Sequence, residues 1–256
     1  VILQRPALIP YLTAGWPSPP AFLEAVAAAA RAGCPLFEVG FPFSDPVADG
    51  PVIQRTSHQA LQAGMTVGRC LELTRQATQQ TGLPAVVMTY VNLVYHHGPQ
   101  DFCRQAAAAG ARGLIVADLP IEEGEPFERA AAQAGLDLVY LCAPTTPAPR
   151  RALIARRSRG FVYLVSVSGT TGEKDRLPED LEPLIAELRQ VSPWPVCVGF
   201  GISTPQMAAR VARVADGVIV GSALLRRLEG RADVGAAVEE FLGSLQAAIR
   251  ADPNKL

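Results

Sequence analysis

Short runs of β-branched and aromatic residues alternate eight times with longer stretches rich in Ala, Leu, Glu and Arg. The runs predict strands over Ala7–Thr13, Leu36–Gly40, Ala85–Thr89, Gly113–Ala117, Asp137–Leu141, Phe161–Val165, Pro195–Gly199 and Gly217–Val220. The stretches between them predict helices over Pro20–Ala32, Thr66–Gln79, Pro99–Ala109, Ile121–Ala134, Pro147–Arg157, Pro178–Gln190 and Thr204–Val214, with a last helical region over Ser222–Leu228 and Val234–Ile249. Apolar strands alternating with helices require a parallel sheet covered by helices. Eight such units in 256 residues fit a closed (β/α)₈ TIM barrel better than an open doubly wound sheet. The first strand runs into Thr13-Ala14-Gly15-Trp16-Pro17, which is not the Gly-x-Gly-x-x-Gly turn of a dinucleotide fold. With no charged linker and no break in composition, residues 1–256 read as one barrel domain.

A barrel of this kind works at the face where its strands end. The second strand carries Glu38 just before its end, and alternation turns Glu38 away from the helix-facing Phe37 and Val39, into the barrel mouth. A carboxylate in that position is costly to bury and should have a raised pKa, which suits proton exchange near neutral pH. The loop after it holds Asp45, read as a turn residue, and Asp49, expected to stay ionised and face an N–H or developing positive charge. Tyr90 and Asn92 follow the third strand, and Asp118 follows the fourth. Gly199-Phe200-Gly201-Ile202-Ser203 and Gly221-Ser222 follow the seventh and eighth strands, where barrels commonly cradle phosphate on backbone N–H groups. A phosphorylated substrate is the consequence. The long polar segment from Ser166 to Arg176 suits a lid. Gly33, Gly82, Gly110, Gly135 and Gly160, each just ahead of a strand, read as helix C-caps.

Other chemistries find little support. His58 lies in a polar helical stretch, His96 and His97 read as a His-His-Gly turn, and nothing accompanies them at metal-ligand spacing. There is no Gly-x-Ser-x-Gly elbow, and Lys174 and Lys255 are not strand-end residues, so covalent catalysis is disfavoured. Cys34, Cys70, Cys103, Cys142 and Cys197 are scattered and read as small buried hydrophobes in a reducing compartment. A net charge of −1 and an arginine cluster (Arg150, Arg151, Arg156, Arg157, Arg159) that reads as a solvated helix face argue against nucleic acid. No apolar run is long enough for a membrane span, and a cytoplasmic protein is expected. The chain opens on Val1, so some N-terminal residues are expected to be missing.

Leu36-Phe37-Glu38-Val39-Gly40-Phe41-Pro42-Phe43-Ser44-Asp45-Pro46-Val47-Ala48-Asp49-Gly50-Pro51 resembles the signature of the tryptophan synthase alpha subunit family. Pro10–Gly15, Tyr90-Val91-Asn92, Val116–Pro120, Thr171-Gly172, Gly199–Ser203 and Gly221–Ala223 match the same family in order, over essentially the whole chain. The resemblance implies a (β/α)₈ barrel that cleaves indole-3-glycerol phosphate to indole and glyceraldehyde 3-phosphate. It implies no cofactor in this chain, and a beta subunit bearing pyridoxal phosphate that receives the indole within an alpha-beta-beta-alpha complex. It gives Glu38 the role of acid and base, Asp49 that of binding the indole N–H, and Thr171 that of closing against Asp49. Tyr11, Ile53, Tyr163 and Phe200 match substrate contacts, and Gly172, Gly201, Gly221 and Ser222 match the phosphate cradle. Asp45, Pro46, Asn92, Asp118 and Pro120 match positions facing the beta subunit. Two departures stand out: little of the family's N-terminal helix precedes Ala7, and Val167 stands where some members carry arginine. Two other readings follow from the same residues, a stand-alone lyase releasing free indole and a non-catalytic barrel that activates a partner.

Overall fold

The computed structural model describes residues 3, 6–165, 181–199 and 201–251. Nine strands run β1 Ala7–Thr13, β2 Phe37–Gly40, β3 Ala85–Thr89, β4 Ala111–Val116, β5 Asp137–Val139, β6 Leu141–Cys142, β7 Val162–Val165, β8 Val196–Gly199 and β9 Gly217–Val220. The helices are α1 Pro19–Arg31, α2 Pro51–Gln62, α3 Val67–Thr81, α4 Val91–His97, α5 Pro99–Ala108, α6 Glu125–Gln133, α7 Ala148–Arg157, α8 Leu181–Val191, α9 Pro205–Val214, α10 Ser222–Leu228 and α11 Val234–Arg250, with a 3₁₀ turn at Ile121–Glu123. Every strand pair is parallel, in the order β5-β4-β3-β2-β1-β9-β8-β7-β6.

The order closes the barrel in an instructive way. The expected fifth strand is broken at Tyr140 into β5, which pairs with β4, and β6, which pairs with β7. Tyr140 N–H donates to Ser158 Oγ at 3.2 Å instead of to a neighbouring strand, while its carbonyl accepts from Tyr163 N–H at 3.3 Å. The eight staves of the expected (β/α)₈ barrel are present, one of them in two pieces.

Strands β1, β2, β3, β8 and β9 are buried along their whole length, as strands enclosed on both faces must be. Helix starts follow local chemistry. Ser18, Thr66, Thr204 and Asp233 accept from the first-turn N–H groups of α1, α3, α9 and α11. Gly82 ends α3 at φ 70°, a left-handed conformation that a side chain resists, and the other four glycines read as caps also have positive φ.

Two helices had no bounds read from the sequence: α2, seen only as the polar helical stretch around His58, and α4, read as strand-end residues and a turn. α2 buries only Ile53, Thr56, Ser57 and Ala60, so it lacks the apolar stripe that marks a helix in sequence. α4 is built from Val, Leu and Tyr and begins one residue after β3; His96 and His97 form its last turn rather than a separate turn. The arginine cluster also differs from expectation, because Arg150, Arg151 and Arg157 pair with Glu122, Glu187 and Glu128. All five cysteines are buried, as expected. Among the described residues no helix is long and apolar enough to cross a membrane.

Candidate active site

Tyr11 on β1 is in register with Glu38 on β2, and both are buried at the C-terminal end of the barrel. Glu38 has no exposed surface, and neither of its oxygens finds a hydrogen-bond partner. An unpaired, fully enclosed carboxylate favours its neutral form, and burial pushes Glu38 up to about 8. The inward orientation expected from strand alternation is present. Burial holds the hydroxyls of Tyr11 and Tyr163 well above the normal tyrosine range, reinforced chiefly by the charge of Asp49 at Tyr11 and of Glu38 at Tyr163.

Asp49 remains the more acidic of the two carboxyls, but in a more enclosed setting than its polar loop suggests. The loop from Gly40 folds back so that Asp49 is largely enclosed, and burial lifts its pKa to about 6, against a hydrogen bond from Tyr90 that lowers it. Tyr90 Oη donates to Asp49 Oδ2 at 2.9 Å, and Asp49 Oδ1 is buried with no partner. The Tyr90 ring stacks on Phe43 with centroids 5.1 Å apart. Tyr90, one of the strand-end residues but outside the expected catalytic set, is thus the side chain that holds Asp49; the sequence signal for it is a phenol leaving β3 beside a carboxylate-bearing loop.

A cavity of about 220 Å³ opens beside Tyr11, the register neighbour of Glu38. Tyr11, Ile53, Met88 and Tyr163 line it on one side, and Gly201, Ile202, Gly221, Ser222 and Arg226 on another. The two tyrosines owe their places to glycines. A Cβ on Gly40 would fall 1.9 Å from the Tyr11 hydroxyl, and one on Gly199 would fall 2.3 Å from that of Tyr163. Gly199 thus makes room for an aromatic ring, a reason different from the anion approach expected of it. Gly201 has φ 77° and lies at the mouth with Gly221 and Ser222, so the three cradle residues inside the described chain do converge. Thr171, Gly172 and Phe200, with the expected lid from Ser166 to Arg176, fall outside the described residues.

The remaining predicted positions cluster on the loops after β2, β3 and β4. Asp45, Asn92 and Pro120 are exposed, and Pro46 and Asp118 are half-buried. Asp45 carbonyl accepts from Val47 N–H at 2.9 Å, in keeping with a turn. Asp118 Oδ1 accepts from Val91 N–H at 2.7 Å and so caps the start of α4. Val47, 80% exposed, stands on the same surface. Among the described residues no three His, Cys, Asp or Glu side chains converge as metal ligands would.

Comparison with known proteins agrees with this geometry. The family profile described as tryptophan synthase alpha chain matches residues 3–250. The tryptophan synthase alpha chain of Synechocystis sp. is 46% identical over 246 residues, covering 95% of this chain and 93% of the relative. That of Carboxydothermus hydrogenoformans is 47% identical over 223 residues, covering 87% and 84%. Among solved structures, Mycobacterium tuberculosis tryptophan synthase superposes with a TM-score of 0.89 at 40% identity, over 97% of this chain and 94% of the other. The tryptophan synthase α2β2 complex of Pyrococcus furiosus gives 0.91 at 33% identity, over 96% and 100%. A buried strand-end glutamate, an enclosed loop aspartate and a glycine-rimmed mouth on this barrel therefore occur in a chain that belongs to the tryptophan synthase alpha chain family.

Proposed function

We propose that this chain, read as one barrel over residues 1–256, is the alpha subunit of tryptophan synthase and cleaves indole-3-glycerol phosphate through Glu38 and Asp49. The observation that carries the residue roles is the separation of the two carboxyl groups, Glu38 near 8 and Asp49 near 6. At neutral pH Glu38 holds a proton and Asp49 is ionised. Groups pushed apart in this way divide acid and base work between them.

Glu38 gives its proton to C3 of the indole ring, leaving the ring nitrogen positively charged, and Asp49 accepts the N–H hydrogen bond and faces that charge. Glu38, now ionised, takes the proton of the hydroxyl on the carbinol carbon attached to C3. The C3–carbinol bond then breaks, and its electron pair returns to the ring. Indole and glyceraldehyde 3-phosphate leave, and Glu38 is again protonated. Tyr90 holds Asp49 through the 2.9 Å hydrogen bond. Tyr11, Ile53 and Tyr163 enclose the ring, as Phe200 would, while Gly201, Gly221 and Ser222, with Gly172, hold the phosphate. Thr171 would close against Asp49.

The exposed positions after β2, β3 and β4 supply the docking surface for a beta subunit, and Val47 adds an apolar contact there. The Pyrococcus furiosus relative is an α2β2 complex, which supports that reading. Pyridoxal phosphate is assigned to the beta partner, and the cytoplasm is the proposed location. The direct test follows indole release from indole-3-glycerol phosphate, alone and with a beta subunit. Cleavage stimulated by the partner is expected; no cleavage in either case contradicts the proposal.

A further inference from the structure

Arg226 is the one charged side chain among the described residues that line the cavity. It lies one turn after Ser222 on α10, so the two share a helix face. A helical side chain leans toward the N-terminal end of its helix, which carries the Arg226 guanidinium back toward Ser222 and Gly221. Nearby cations are already engaged: Arg55 pairs with Glu229 at 2.9 Å, and the Arg227 guanidinium lies 4.3 Å from the Phe241 ring centre. Among the described residues Arg226 has no such partner. The other walls at this end are glycine backbone, Ser222 and apolar side chains. Glu38, in register with the lining Tyr11, is fully buried behind the cavity wall and adds no charged side chain to the lining.

We infer that Arg226 is a specificity residue that binds the phosphate of the substrate and orients it with the ring toward Glu38 and Asp49. The inference rests on the reading of the site given under Proposed function. A guanidinium offers a phosphate directed, charge-assisted hydrogen bonds that backbone N–H groups alone do not. Because Arg226 is exposed, solvent and salt weaken this contact, and its effect falls on binding rather than on the chemical step.

The test compares Arg226→Gln, Arg226→Lys and, as a control with the same change in net charge, Arg227→Gln. Arg226→Gln should raise KM for indole-3-glycerol phosphate about five- to tenfold, with kcat within about twofold. Competitive inhibition by inorganic phosphate should weaken by the same factor, and the rise of KM with added salt should flatten. Arg226→Lys should recover most of the loss, and Arg227→Gln should change KM little. Unchanged KM and phosphate inhibition in Arg226→Gln, or an equal loss in Arg227→Gln, overturns the inference. Thermal stabilisation by inorganic phosphate needs no turnover. A protein that cleaves nothing yet loses this stabilisation in Arg226→Gln contradicts the proposed reaction and leaves the phosphate contact standing.

Discussion

Glu38 and Asp49 stand at the same end of the barrel but are held by different kinds of structure. Glu38 belongs to a four-residue strand with neighbours in register on both sides, and its carboxyl makes no hydrogen bond. Asp49 belongs to a loop between β2 and α2, and among the described residues its carboxyl is held by one phenol. The strand gives a rigid, dry position in which a carboxyl keeps its proton to about pH 8. The loop gives a position enclosed enough to raise the pKa to about 6, but supplied with a donor that keeps it from rising further. Burial alone makes an acid; burial with one hydrogen bond leaves a carboxylate at neutral pH.

Changing the strand side should have the larger effect. Glu38→Gln keeps the shape and removes the transferable proton, and should lower kcat for indole release about 10³-fold with KM nearly unchanged. Asp49→Asn removes the charge that faces the ring nitrogen and should lower kcat about 10²-fold. A loss in Asp49→Asn as large as that in Glu38→Gln would erase the distinction drawn here.

The pH dependence sharpens the same contrast. With Asp49 required ionised and Glu38 required protonated, cleavage by the free protein should rise through about pH 6 and fall through about pH 8. Tyr90→Phe removes the bond that lowers the Asp49 pKa, so the acid limb should move to higher pH while the alkaline limb stays. Its cost in kcat at pH 7 should be about two- to fivefold. Movement of both limbs would mean that the two groups titrate as a unit.

Stability responds in a predictable direction as well. The Glu38 pKa is raised on folding from 4.5 to about 8, so the folded protein binds more protons than the unfolded chain between those values. The corresponding stability is fully present below about 4.5 and is lost as pH rises toward about 8. By pH 7 the loss is on the order of 3 kcal/mol. Glu38→Gln should therefore melt a few degrees higher than the wild type at pH 8 and show a smaller difference at pH 5, by calorimetry.

The same contrast explains what could be read in advance. Alternating apolar runs and proline- or Ser/Thr-headed helices carry the barrel, and period-two alternation is enough to turn Glu38 inward. Those are local signals. The break at Tyr140 was not legible, because Leu138–Leu141 is an uninterrupted aliphatic and aromatic run and the group that diverts its N–H, Ser158, arrives from the far end of α7. α2 was legible only as a polar helical stretch without bounds, because its inner face is held by hydroxyls, Thr56 Oγ1 lying 2.8 Å from Thr13 Oγ1, in place of an apolar stripe. The enclosure of Asp49 was not legible for a similar reason. A polar loop suggests solvent, but its fold back against Tyr90 and Phe43 is a tertiary fact.

Carbon-13 NMR of protein labelled at the glutamate and aspartate carboxyls tests the central claim without a substrate. Comparison with Glu38→Gln and Asp49→Asn assigns the two signals. The expected result is a Glu38 carboxyl still protonated at pH 7, titrating near 8, and an Asp49 signal titrating near 6. A Glu38 signal that titrates between about pH 4 and 5, as an ordinary glutamate does, would contradict it.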